Sequence, residues 1–242
     1  MRTYGRIAHI CATALAVCVP VLPAVAACEG PEDILTPPKG LLSIYTIREA
    51  GLLRAIRKCA APVAATPFTH VQVLVQPSFE PPWVLNVYHG RPTEDRWVEL
   101  VTVYGLDIEE PNAQAIACGR AVAPISKELA EELERVWTRF VVATRYEKDE
   151  PTIISDGIEY QFVDRLERAG LAHSPRAGTC LADLVHVTEV LREYAAGDAE
   201  SREVSLGILI AALRALEARQ ALPSAATQSN SAQQPTGAPD SE

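Results

Sequence analysis

SKELAEELERVWTRFVVATRY, residues 126–146, sets the terms on which the rest of the chain must pack. Its apolar residues fall at Leu129, Leu133, Val136, Trp137, Phe140 and Val141, with Thr144 continuing the line. Steps of three and four put them on one side of a helix. Lys127, Glu128, Glu131, Glu132, Glu134, Arg135 and Arg139 fill the other side. Ser126 stands where its hydroxyl can accept an N–H left free in the first turn. Trp137, mid-stripe, is the largest apolar group such a helix can bury, so the helix requires a sheet or other helices to cover it.

Upstream lie three strand candidates. Residues 70–76 alternate, with Val71, Val73 and Val75 on one face and Gln72 and Gln76 on the other. Residues 83–89 and 96–104 are richer in Val, Trp and Tyr, as strands covered more fully are. The short connections at 77–82 and 90–95 predict an antiparallel meander. Residues 105–124 read as a long connection, with one helical turn over 112–118 stopped by Gly119. Earlier still, Thr46 and Glu49 have capping-box spacing. Ile47, Ala50, Leu53 and Ile56 then form a narrow helical stripe, with Arg54, Arg57 and Lys58 at its C-terminal end.

Downstream, residues 152–162 read as a hairpin around Asp156-Gly157, a pair suited to positive φ in a two-residue turn. Residues 181–195 form an amphipathic helix, with Leu181, Leu184, Val187, Thr188, Leu191 and Tyr194 on one side and Gly197 ending it. Residues 201–221 make a last helix with Leu206, Leu209, Ile210, Leu213 and Leu216 apolar. The expectation is one α+β domain over residues 41–221: an antiparallel sheet of about three to five strands covered by three or four helices. Residues 28–40 are a proline-rich mobile lead, and residues 222–242 a disordered tail with almost nothing to bury.

The features Trp137, Thr144-Arg145-Tyr146, Asp156-Gly157, Tyr160, Phe162, Gly170, Pro175 and Leu191-Arg192-Glu193-Tyr194 resemble a layout found in uncharacterised exported proteins of Gram-negative bacteria. That resemblance implies export and carries no activity.

Export is also legible in the first 27 residues. Arg2 and Arg6 precede a largely apolar run, and Pro20 and Pro23 break it before Ala24, Ala26 and Ala27, the pattern of a cleaved signal peptide. Val25-Ala26-Ala27-Cys28 is an acceptable site for ordinary signal peptidase and also a loose lipobox, in which Cys28 would be lipidated and membrane-anchored. The lipobox usually begins with Leu, which favours ordinary release to the bacterial periplasm. Six cysteines fall to four after cleavage: Cys28, Cys59, Cys118 and Cys180. They are too widely spaced for a zinc site. In an oxidising compartment they are disulfide candidates with three possible connectivities.

The chain carries 48% hydrophobic and 22% charged residues, a globular composition. Its net charge of −9 repels phosphate backbones, so no nucleic-acid partner is expected, and no membrane span remains after signal cleavage. There is no Gly-x-Ser-x-Gly elbow, Ser-x-x-Lys, His-Glu-x-x-His, P-loop, EF-hand or Gly-x-Gly-x-x-Gly turn. No cofactor, metal or catalytic residue is assigned.

The remaining polar groups have ordinary explanations. His70 and His89 stand at strand ends near Glu80 and Asp95, where histidines usually face solvent. His186 is flanked at helical spacing by Asp183 and Glu189, an arrangement that suits an acid–base pair but equally a surface ion pair. His173 and Ser174 are adjacent, which is poor geometry for nucleophilic attack. Glu128, Glu131, Glu132 and Glu134 occupy a wetted helix face rather than a glycosidase cleft, where two acids stand about 5–9 Å apart. The loop 89–95 mixes Arg91, Glu94 and Asp95 near Trp97, as recognition surfaces do. The expected function is a non-catalytic exported envelope protein that binds another protein or an envelope component. A periplasmic hydrolase using His70, His89 or His186 is the alternative.

Overall fold

A computed structural model describes residues 27–28, 30–37, 55–56, 58–59, 69–88, 96–105, 117–145, 157–166 and 168–221. Six strands form one fully antiparallel sheet: β1 Thr69–Pro77, β2 Trp83–Tyr88, β3 Arg96–Tyr104, β4 Ala117–Ile125, β5 Ile158–Asp164 and β6 Ala169–His173. Among the described residues three long helices accompany it: α1 Lys127–Val142, α2 Cys180–Ala196 and α3 Ala199–Ala221. The α+β class is as expected, with one strand more than the expected upper bound. The sheet order is β4-β3-β2-β1-β5-β6. Strands β1 to β4 are therefore a meander, and α1 carries the chain back so that β5 joins the free side of β1.

Period-two alternation sorts the sheet into two buried faces. Val71, Val73, Val75, Trp83, Leu85, Val87, Val98, Leu100, Tyr160 and Phe162 enter one core with the three helices. Leu74, Val84, Val101 and Val103 face the other way and pack with Ala55, Ile56 and Cys59. That second cover explains why every residue of β2 is buried. Residues 55–56 and 58–59 are helical, as the Ile56 stripe predicts, and the other residues of the expected helix lie outside the described residues.

α1 takes its place through the stripe read from sequence. Ser126 Oγ accepts the Leu129 N–H at 3.2 Å, and Leu129, Leu133, Val136, Trp137, Phe140 and Val141 are buried. Trp137 meets Phe162 of β5 edge-on, with centroids 5.6 Å apart. α2 is capped by Thr179, whose hydroxyl accepts the Ala182 N–H at 3.1 Å. α3 buries Leu209, Leu213 and Leu216 and is pinned by ion pairs from Arg135 to Glu217 and from Arg219 to Asp183.

Three expectations are corrected. Residues 117–125 are a strand, not the end of a helical turn: β3 supplies a continuous ladder from Arg96↔Ile125 to Tyr104↔Ala117. Residues 112–116 lie outside the described residues. Residues 152–156 of the expected second hairpin lie outside the described residues, and the hairpin that β5 makes is with β6, its other edge being taken by β1. Its turn follows Asp164, whose Oδ1 accepts the N–H groups of Leu166 and Arg168 at 2.9 and 3.0 Å. Gly157 does adopt positive φ, but as the entry to β5.

The lead is also anchored over the part that is described. Cys28 is bonded to Cys180, Asp33 accepts the Cys180 N–H, and buried Leu35 precedes a bridge from Thr36 to Leu171. A Cβ at Gly170 would lie 2.7 Å from the Leu35 Cβ, so the strap passes over β6 only because that residue has no side chain. Residues 1–26, 38–40 and 222–242, covering nearly all of the expected signal peptide, the end of the expected lead and the expected tail, lie outside the described residues.

Candidate functional site

At the end of the sheet where β2 begins and β3 ends, α2 stops short and leaves a cleft of about 350 Å³. Trp83 forms its floor, and Leu100, Thr102 and Tyr104 rise from β3. Gly119, Arg120 and Ala121 of β4, Glu80 and Pro81 of the β1–β2 loop, and Arg192 and Ala196 of α2 complete it. The Tyr104 ring lies against the bare backbone of Gly119, where a Cβ would come within 3.2 Å of its Cε2.

Arg192 is held from two sides. Its guanidinium sits 5.0 Å above the Trp83 ring, and its Nη1 donates to Glu189 Oε2 at 3.2 Å. Glu189 Oε1 in turn accepts the Tyr160 hydroxyl at 3.1 Å. Burial, and then the Glu189 carboxylate, push the Tyr160 pKa well above its ordinary value. Tyr160 is therefore a fixed donor, not a base. The series Tyr160–Glu189–Arg192–Trp83 thus presents an oriented cation stacked on an aromatic floor.

On the reverse face of β3, Glu99 is fully buried. It accepts the Tyr88 hydroxyl at 2.8 Å and the Arg120 Nε at 2.5 Å. Gln72 and Asn86 continue the same register row, with Gln72 Nε2 donating to Asn86 Oδ1 at 2.7 Å. Burial, and then Glu99, raise the Tyr88 pKa. Arg120 thereby links this buried carboxylate to the rim of the cleft.

The residues considered from sequence are dispersed. The side chain of His70, together with His89, Asp95 and the rest of loop 89–95, lies outside the described residues. Trp97 packs on Tyr88 at 5.5 Å. His186 is exposed, while Asp183 pairs with Arg219 and Glu189 with Tyr160 and Arg192, so the acid–base pair is not assembled. Ser174 Oγ accepts the Ile158 N–H at 3.0 Å and so serves the backbone rather than His173. Glu131 lies near Arg96 and Lys127, at 3.8 Å from each. The Glu128 carboxyl is held below its usual range by backbone N–H and Ser126 hydrogen bonds at the helix start.

The four cysteines pair as Cys28–Cys180 and Cys59–Cys118, with Cα separations of 5.5 and 5.6 Å. Two disulfides point to an oxidising, exported setting. Among the described residues no helix is long and apolar enough to cross a membrane. No protein family, curated protein or solved structure matches this chain.

Sequence reasoning missed Arg192 and Glu99 as site residues and weighed Glu189 only as a neighbour of His186. Glu99 left one signal: a single acid in the middle of the largely apolar strand RWVELVTVY.

Proposed function

We propose that this is an exported, non-catalytic binding protein of the bacterial envelope that engages another protein or an envelope component through the Trp83–Arg192 cleft. The observation that carries the reading is the prior clamping of Arg192 between Glu189 and the Trp83 ring, beside open space. A cation fixed before the ligand arrives loses little side-chain freedom on binding, which favours recognition. Tyr160, held protonated, supplies a donor and no base. Arginine and aromatic side chains are also the groups that most often dominate protein interfaces.

We further propose ordinary cleavage after Ala27 and release into the periplasm. A lipid thioether would need the Cys28 sulfur, which here is bonded to Cys180. Intact-mass measurement of the mature protein, with and without reductant, tests this. The expected mass rises on reduction by the hydrogens of two bridges, and an added diacylglycerol mass would refute it.

The binding function is tested by immobilising the mature oxidised protein, passing envelope extract over it and identifying retained species. Retention that Arg192→Ala abolishes is the expected result. If nothing is reproducibly retained, or if retention is indifferent to Arg192→Ala, the reading falls.

A further inference from the structure

The sheet has two outer strands, and the fold treats them differently. β6 is bridged at its middle residue by the strap: the Thr36 N–H donates to the Leu171 carbonyl at 3.0 Å, and the Leu171 N–H to the Thr36 carbonyl at 2.7 Å. β4 is closed over half its length. Its Pro124 has no N–H, and the Pro124 carbonyl accepts the Tyr194 hydroxyl. The Val122 carbonyl accepts Arg202 Nη2 at 3.1 Å. Main-chain groups two residues apart point to the same side of a strand, so Cys118 and Arg120 share this outward direction. Among the described residues no group takes their backbone N–H or C=O, and the Val122 N–H is equally open.

That open stretch borders the cleft, because Gly119 and Ala121, between the outward-facing residues, line it. An unpaired strand edge is a template for another extended chain. We infer that the Cys118–Val122 edge and the adjoining cleft bind an extended peptide segment of a partner protein, added as a seventh strand, with one aromatic side chain in the cleft and an acidic residue toward Arg202. The inference rests on the binding function proposed above and deepens it. An aromatic side chain suits a cleft walled by Leu100, Ala121 and Tyr104 with the Arg192 guanidinium at hand.

Charge selects the rest of the occupant. Of the arginines at this corner, Arg120 is paired with Glu99 and Arg192 with Glu189, whereas the hydrogen bonds of Arg202 go to the carbonyls of Tyr194, Ala195 and Val122, which makes Arg202 the cation that an acidic residue of the occupant can approach. A second copy is the poorer occupant. The edge it would offer, ACGRAVAPI, has neither an aromatic residue for the cleft nor an acidic one for Arg202.

The experiment selects peptides from a random phage-displayed library on the mature oxidised protein. The best binder is then used for amide hydrogen exchange on wild type and for titration of two variants. Val122→Pro removes an outward N–H without touching the β3 ladder, as Pro124 already does, and Tyr104→Ala opens the half-exposed wall of the cleft. The expected result is slowed exchange at Cys118, Arg120 and Val122, and about tenfold weaker binding for each variant. Unchanged exchange at those amides, an affinity indifferent to Val122→Pro, or no enriched peptide overturns the inference. So does sedimentation as a dimer with the same amides protected in the absence of peptide. Exchange on wild type decides the matter even if a variant misfolds. Retention from envelope extract that survives Val122→Pro sinks the edge inference alone, whereas no retention by wild type sinks the binding function itself.

Discussion

Arg120→Ala should destabilise the protein more than Glu99→Gln, although both break the same ion pair. The Glu99 side chain is fully buried, while 41% of the Arg120 side chain remains exposed. Removing the arginine leaves a buried carboxylate with Tyr88 as its remaining partner in this pair of contacts, 2.8 Å away. Breaking a buried pair this way typically costs 3–5 kcal/mol, and because water can enter the space Arg120 leaves, about 3 kcal/mol is expected. Glu99→Gln removes the buried charge itself, keeps an acceptor for Tyr88 and leaves an arginine that solvent already reaches. Its cost should be about 1 kcal/mol, the scale of one hydrogen bond. The double variant should be more stable than Arg120→Ala alone, since the charge that made that change costly is gone. Urea unfolding of the oxidised proteins, followed by far-ultraviolet circular dichroism at neutral pH, measures all four corners of the cycle. If Arg120→Ala costs no more than Glu99→Gln, or if the two effects simply add, the pair is not buried and coupled as described.

Trp137→Ala should cost about 3–5 kcal/mol in the same assay, because the fully buried ring leaves a cavity against Phe162; a variant as stable as the parent would remove α1 from the centre of the fold. Replacing Cys28 and Cys180 by alanine should cost about 2–5 kcal/mol, and more than replacing Cys59 and Cys118, since the first bridge spans 152 residues and the second 59; chemical unfolding of the two double variants gives the order. Stability should also fall at high pH. Tyr88 and Tyr160 keep their protons in the folded state above the ordinary tyrosine value of 10.0, mainly through burial and then through Glu99 and Glu189. The unfolded chain releases those protons from about pH 10 upward, so the contribution is intact below that pH and is lost above it. Melting temperatures across the alkaline range should decline less steeply in a Tyr88→Phe/Tyr160→Phe variant.

Elements whose causes are local can be read off the chain before any fold is known. α1 was legible to its cap, because Ser126 and a repeat of three and four residues are properties of a short window, and the same spacing located α2 and α3. Alternating Val71, Val73 and Val75 likewise revealed β1. The β4 strand was not legible, because ACGRAVAPI has only Val122 and Ile125 as strand formers among Ala, Gly and Pro, and is held extended by its ladder to β3. The turn pair Asp156-Gly157 misled for a related reason: a favourable turn sequence cannot make a hairpin where β1 and β6 already occupy both edges of the strand. Only tertiary structure paired Cys28 with Cys180 and Cys59 with Cys118, since four thiols allow three arrangements until the fold sets their distances. The cleft is of the same kind. Trp83, Tyr104, Gly119 and Arg192 come from four separate elements, and nothing in the window around any one of them records the others. Local periodicity specifies which face of an element is apolar, but a site made where elements meet exists only once long-range packing has brought their ends together.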